Sequence, residues 1–118
     1  MNGLGAYQET AILTQDRGKI VVMLYEGAIK FLKVAISEIE EGNIEGRHTN
    51  ICKAMDILAE LDNSLNVEAG GEVGENLRRL YNYCLTQLTQ ANINSDVDAI
   101  QDVIEILDEL NSGWKEIA

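Results

Sequence analysis

Apolar positions recur at helical rather than alternating spacing along most of this chain, and one stretch carries them on nearly every side. Between Ile20 and Ile39, the residues Ile20, Val21, Val22, Met23, Leu24, Tyr25, Ala28, Ile29, Phe31, Leu32, Val34, Ala35, Ile36 and Ile39 are apolar or aromatic. At about 100° per residue, Glu26, Lys30, Lys33 and Ser37 share a strip only about 60° wide, and Glu38 is the one polar residue well outside it. A helix in a small bundle needs an apolar stripe of little more than about 100°. This helix therefore has more apolar circumference than one core requires. Val22, Ile29 and Ile36 form one row, and Ile20, Leu24, Phe31 and Val34 lie broadly on another. The two rows do not both fit one small core, and the sequence leaves open which of them forms a groove.

The same periodicity predicts four helices. The first is expected near 17–41, with Asp16 as N-cap and Gly42 as the left-handed stop. Residues 1–15 read as a flexible or loosely docked arm with Tyr7 as its large aromatic side chain. Asn43 is expected to cap a second helix near 44–66. Its apolar residues follow a heptad: Ile44, Ile51, Leu58 and Leu65 on one row, Ala54 and Leu61 on the next, and Met55 beside them. Gly70-Gly71 breaks the chain. A third helix near 72–92 carries Leu77, Leu80, Tyr81, Cys84, Leu88 and Ala91 on one face, with Tyr83 and Leu85 off it. Asn92–Asn94 is expected as a loop, and Ser95 with Asp98 as a capping box that opens a last helix near 96–117. That helix aligns Ile100, Val103, Ile104, Leu107, Leu110, Trp114 and Ile117, with Trp114 and Ile104 expected in the core. Short connections imply antiparallel neighbours, so the expected fold is all-α, an up-down four-helix bundle in a single domain spanning 1–118.

Composition sharpens this picture. The 118 residues include no Pro, which suits long unbroken helices. Net charge is −11, from 9 basic and 20 acidic residues. That balance disfavours phosphate backbones and anionic membrane surfaces and serves solubility. It also keeps a sticky apolar surface from self-association. The runs Glu38/Glu40/Glu41 and Asp96/Asp98/Asp102 read as solvated helix faces, and Glu26–Lys30 as an i,i+4 pair. Cys52 and Cys84 form no CxxC motif and read as reduced side chains of a cytosolic protein. The N-terminus has no signal-peptide pattern, and the Ile20–Leu24 run is too short to span a membrane.

Catalytic and cofactor chemistry finds no constellation. His48 is the single histidine. Glu45-Gly-Arg-His48 matches a bare Glu-x-x-His string, but a dinuclear site needs two copies. No zinc cluster, Walker loop or dinucleotide-binding glycine motif occurs. No catalytic, metal or cofactor residue is therefore assigned. His48 reads as a surface histidine in the first turns of helix 2. An alternative makes it the phospho-accepting residue of a phosphotransfer bundle. Such domains usually place Lys and Gly three and four residues later, where Ile51 and Cys52 stand here. A generic helical adaptor is a third reading.

Several segments carry a resemblance. The string Gly18-Lys-Ile-Val-Val-Met-Leu-Tyr25-Glu-Gly-Ala-Ile29 resembles the first-helix signature of the FliS flagellin-export chaperones. Further agreement comes in order and spacing from Lys53-Ala-Met-Asp-Ile-Leu-Ala-Glu-Leu61 with Ser64-Leu65, from Gly70-Gly-Glu-Val73 with Asn76-Leu-Arg-Arg-Leu-Tyr81, from Ala91-Asn-Ile93, and from Leu107-Asp-Glu-Leu110 followed by Trp114. The similarity spans about residues 7–117. The family often opens helix 1 with Ser-Pro, where Asp16-Arg17 stands here. The resemblance implies a non-enzymatic cytoplasmic chaperone that binds the disordered C-terminal region of flagellin in apolar grooves. It implies that binding prevents premature polymerisation and aids delivery to the flagellar type III export apparatus. An export-gate subunit and a regulator of flagellin synthesis are further possible partners; nucleic acid and membrane insertion are not expected. The expected partner-binding residues are Tyr7, Val22, Met23, Tyr25, Gly27, Ile29, Leu32, Ile36, Leu61, Leu65, Leu77 and Tyr81. Tyr25 is expected to be partly exposed, because its hydroxyl needs a partner. Gly27 reads as a close helix contact or as room for a partner helix, and Met23 as core filler or adaptable surface. Tyr7 is expected to cap a groove in the free protein and to yield to flagellin.

Overall fold

A computed structural model describes the backbone of residues 3–65 and 67–117 and the side chains of residues 18–65 and 70–117. It contains four helices: α1 (Gly3–Glu40), α2 (Ile44–Asn63), α3 (Val67–Asn94) and α4 (Val97–Ile117). Among the described residues there is no strand. Each connection is short and reverses the chain, so helices adjacent in sequence run antiparallel. α1 packs on α2 and α4, and α3 packs on the same two helices from the opposite corner. The arrangement is the expected four-helix bundle.

Local chemistry sets the helix ends. Gly42 adopts φ 76°, and the Gly42 and Asn43 amides return to the Ile39 and Glu38 carbonyls at 3.0 and 2.8 Å. This is a Schellman stop, which a residue with a Cβ would strain. Asn43 then caps α2, its Oδ1 accepting from the Gly46 amide at 3.0 Å. Gly71, at φ 57° and ψ −132°, kinks α3, so the regular part of that helix follows it, as the Gly70-Gly71 break predicts.

Three expectations at the helix ends are corrected. The backbone of 3–16, expected as an arm, continues α1; this stretch has no Pro and includes Ala6, Gln8, Ala11 and Leu13, all good helix formers. The side chains of Asp16 and Tyr7 lie outside the described residues. The helix also runs through Asn92–Asn94, where a loop was expected. Asp96, not Ser95, caps α4, its Oδ1 accepting from the Ala99 amide at 3.1 Å. Ser95 instead takes the left-handed turn position, at φ 52°, and its Oγ accepts from Arg47 Nη1 at 2.8 Å. That bond offsets part of the roughly 1 kcal/mol or more that a side chain costs in this conformation.

The core alternates large and small residues on α1, with Tyr25, Ala28, Leu32 and Ala35, and draws Ile51, Ala54, Leu58 and Leu61 from α2. Tyr81, Cys84, Leu88 and Ala91 of α3 and Ile100, Val103, Ile104 and Leu107 of α4 complete it. Trp114 packs against this core from its edge. Ile44 and Ile117, expected on core rows, project beyond the packed layers at 69% and 74% exposure. Glu38, expected on a solvated face, is half-buried beside Gly46 at the start of α2, where a carboxylate is favoured by the helix dipole.

Gly27 sits on the α1–α2 seam, where an added Cβ would stand 3.5 Å from Ile57 Cδ1, an ordinary contact. Gly27→Ala should therefore fit and raise stability by up to about 1 kcal/mol through helix propensity. Urea denaturation of the pair of proteins measures this. A lower midpoint would mean that the seam has no room for a methyl group.

Candidate functional site

The interior and the surface divide the sequence-predicted site residues sharply. Tyr25, Leu32, Leu61 and Tyr81 are buried in the core and do not line a surface groove, and Ile29, at 9% exposure, is buried against the same core. The expectation that Tyr25 is partly exposed is overturned for a specific reason. Its hydroxyl finds its partner inside, 2.5 Å from the Tyr81 hydroxyl across the diagonal of the bundle. The Tyr25 ring also lies 6.4 Å from those of Tyr81 and Trp114, tilted by 51° and 40°. Such tilted pairs favour the edge-to-face sense of the ring quadrupoles. Val22, Gly27, Ile36, Leu65 and Leu77 are half-buried, and Met23 is 69% exposed.

The surface left over is organised. On α1, Ile20, Met23, Gly27 and Val34 fall within a strip about 60° wide. Ile20 and Met23 are exposed, and Val34 is half-buried without joining the packed core. On α3, Val73, Leu77 and Leu80 repeat at i, i+4 and i+7. Val73 is 68% exposed and Leu80 sits at 36%. Arg78 of the same helix meets Asp62 of α2 at 3.1 Å, and Asn92 meets Arg47 and His48 of α2. These contacts turn one flank of α3 toward α2; Leu77 packs against the core, and Val73 and Leu80 are the uncovered members of the row. Leu80, expected in the core, belongs to this stripe. A stripe of this spacing is what an amphipathic partner helix reads.

A cleft of about 530 Å³ opens between α1 and α4. Its walls include Ile29, Lys30, Lys33 and Val34 of α1 and Asp108, Asn111 and Lys115 of α4. Lys115 Nζ reaches Glu26 Oε2 at 3.8 Å across one end. Asn111, which the sequence reading passed over, is 1% exposed, and its Oδ1 has no hydrogen-bond partner. A polar residue at the i+4 step after Leu107 on an otherwise apolar stripe was the available signal.

At the far end, the α2–α3 contact is polar. Arg47 Nε donates to Asn92 Oδ1 at 3.1 Å, and Asn92 Nδ2 donates to His48 Nδ1 at 2.9 Å. That bond makes Nδ1 an acceptor and leaves the proton of neutral His48 on Nε2. Cys52 Sγ lies 3.6 Å from Nε2. The histidine is exposed, as expected, and ties two helices together. Lys53 Nζ sits 5.3 Å from the Phe31 ring centroid, a cation–π contact on the α1–α2 seam. Among the described residues no group of three or more His, Cys, Asp or Glu is placed to hold a metal ion. No described helix is long and apolar enough to cross a membrane.

Burial perturbs three acids in the core. Desolvation raises Tyr25 and Tyr81, and it lifts the Cys84 thiol from 9.0 to about 11, aided by the nearby Asp102 charge. Each is an acid whose folded-state value lies above its unfolded value. Its neutral form therefore contributes stability in full below the unfolded value, and that contribution is lost as pH rises through the folded one. Stability should stay level up to about pH 8 and fall between about pH 9 and 11, by up to about 1.4 kcal/mol per unit for each titrating group. Denaturant midpoints at pH 7, 9 and 10.5 measure the slope, and Cys84→Ala should flatten its first part.

A filled core with aliphatic side chains left uncovered on two of its helices places the chain in the class of all-α four-helix bundles. Comparison with known proteins specifies the class. The family described as Flagellar protein FliS matches residues 1–118. The flagellar secretion chaperone FliS of Vibrio cholerae serotype O1 is 37% identical over 118 residues, covering 97% of this chain and 87% of that protein. The namesake from Bacillus subtilis (strain 168) is 31% identical over 115 residues, covering 98% and 85%. That of Salmonella typhimurium (strain LT2) is 32% identical over 122 residues, covering 99% and 90%. The chain belongs to the FliS family of flagellar secretion chaperones.

Proposed function

We propose that this chain is a cytoplasmic, non-enzymatic export chaperone that binds the disordered C-terminal region of flagellin. Binding holds that region away from premature polymerisation and presents it to the flagellar type III export apparatus. The carrying observation is the aliphatic surface left on α1 and α3 around a core that is already filled. Isolated apolar residues on a surface need no explanation, but stripes at helical spacing do. A disordered segment that folds on binding can lay one amphipathic face after another along such stripes. The net charge of −11 keeps the uncovered surfaces of free molecules apart.

Isothermal titration with the C-terminal segment of flagellin from the same organism tests this. The expected result is 1:1 stoichiometry, a clearly negative heat-capacity change and a gain in helicity. No binding at micromolar concentrations to the folded bundle would overturn the assignment.

A further inference from the structure

We infer that the α1–α4 cleft is the subsite that takes an acidic stretch of the bound helical segment, with a carboxylate seated between Lys30, Lys33 and Asn111. This deepens the flagellin-binding reading and rests on it. The chain has only nine basic residues, and three of them, Lys30, Lys33 and Lys115, line this one cleft. Lys115 is engaged with Glu26. Lys30 and Lys33 are exposed and make no ion pair within 4.0 Å among the described residues. In a chain of net charge −11, the α1 wall of this cleft is thus a local excess of unpaired positive charge. Asp108 on the opposite wall bounds it and restricts where an anion can sit.

The second observation is independent of charge. Asn111 is buried at the cleft, and its Oδ1 has no partner. A buried amide left unpaired is costly and calls for an explanation. Oδ1 is closed off from solvent, so the donor that the Asn111 amide can offer to the cleft is Nδ2. One carboxylate can accept from Asn111 Nδ2 and pair with either lysine. A charge-assisted bond of this kind is stronger than a neutral one. The cleft is also continuous with the apolar α1 strip through Val34, so a helix lying on that strip reaches it. The occupant is therefore an amphipathic helix with an apolar face and one or more Asp or Glu residues beside it.

Titration of the flagellin C-terminal segment against the wild-type chain, Lys30→Glu/Lys33→Glu and Asn111→Ala tests the assignment, with Lys53→Glu as control. Wild-type affinity should fall with added salt. The double reversal should lose tenfold or more in affinity and flatten the salt dependence. Asn111→Ala should lose about fivefold while the protein melts no lower, and Lys53→Glu should change affinity less than twofold. The Asn111 side-chain amide resonance of the wild-type protein should shift on binding, a readout that needs no variant. If wild type binds and the double reversal binds equally well with the same salt slope, the cleft assignment falls and the chaperone reading stands. If Asn111→Ala lowers affinity only as far as it lowers stability, Asn111 is structural and the assignment likewise falls. If wild type does not bind, both fall.

Discussion

Replacing Tyr25 by Ala should cost the bundle about 3–5 kcal/mol, the range for removing a large buried ring. The side chain is fully buried, stacks near two other rings and supplies one half of the Tyr25–Tyr81 hydroxyl pair. Such a loss is a large share of the roughly 5–15 kcal/mol that holds a domain together. The ring and the hydroxyl can be separated by a cycle. Tyr25→Phe and Tyr81→Phe each strand one buried hydroxyl and should each cost about 1–3 kcal/mol. The double substitution strands none, so it should cost clearly less than the sum of the two. Denaturant unfolding of the four proteins measures the coupling, with a magnitude of about 1 kcal/mol or more expected. Additive costs would mean that water or another group serves each hydroxyl alone. The pair spans the diagonal between α1 and α3, which otherwise meet only through α2 and α4. A coupling of that size would therefore also make it a determinant of helix register.

Much of the architecture was legible because it is local. Gly42, Asn43 and Gly70-Gly71 each act through their own backbone or the next turn, and each stands where the sequence places it. The buried rows of α2 and α4 follow from periodicity alone. What escaped is what depends on a neighbour's position. Tyr25 is buried only because Tyr81 meets it from a helix 56 residues later, and no spacing rule carries that information. Ser95 holds a left-handed conformation with Arg47 bonded to its hydroxyl, which displaces the cap to Asp96. Helix 1 was the least readable element because excess apolar residues satisfy several phases equally. The structure settles the phase on Tyr25, Ala28, Leu32 and Ala35, whose two small members let the neighbouring helices approach. The excess then falls on Ile20, Met23 and Val34, on the side away from the core. For the candidate site, the sequence left Met23 open between core filler and surface, and Gly27 open between a helix contact and room for a partner; packing puts Met23 on the surface and Gly27 beside Ile57 of α2. The sequence reading missed Val73, Leu80 and Asn111, since exposure and an unpaired amide are properties of packing.

Charging the two aliphatic strips should reduce flagellin binding strongly while leaving the fold intact. Met23 and Val73 are 69% and 68% exposed in the free protein, so Met23→Glu and Val73→Glu remove little burial. Glu is a good helix former, and the melting temperature should move by no more than a few degrees. Binding is different. Each apolar side chain that a partner covers contributes about 1.5–3 kcal/mol, and a carboxylate in its place must also be desolvated. Every 1.4 kcal/mol is tenfold in affinity, so each single change should weaken the complex about tenfold or more. The two residues lie on helices at opposite corners of the bundle, and sites that share no partners act additively. If one flagellin segment wraps the bundle, the double variant should therefore lose about a hundredfold, with the dissociation rate carrying most of the change. Ile93→Glu, at the far end of α3 and outside both strips, should bind as wild type does. A loss at only one strip would reduce the wrapped arrangement to a single groove. Unchanged affinity at both would detach the exposed apolar surface from the chaperone activity altogether.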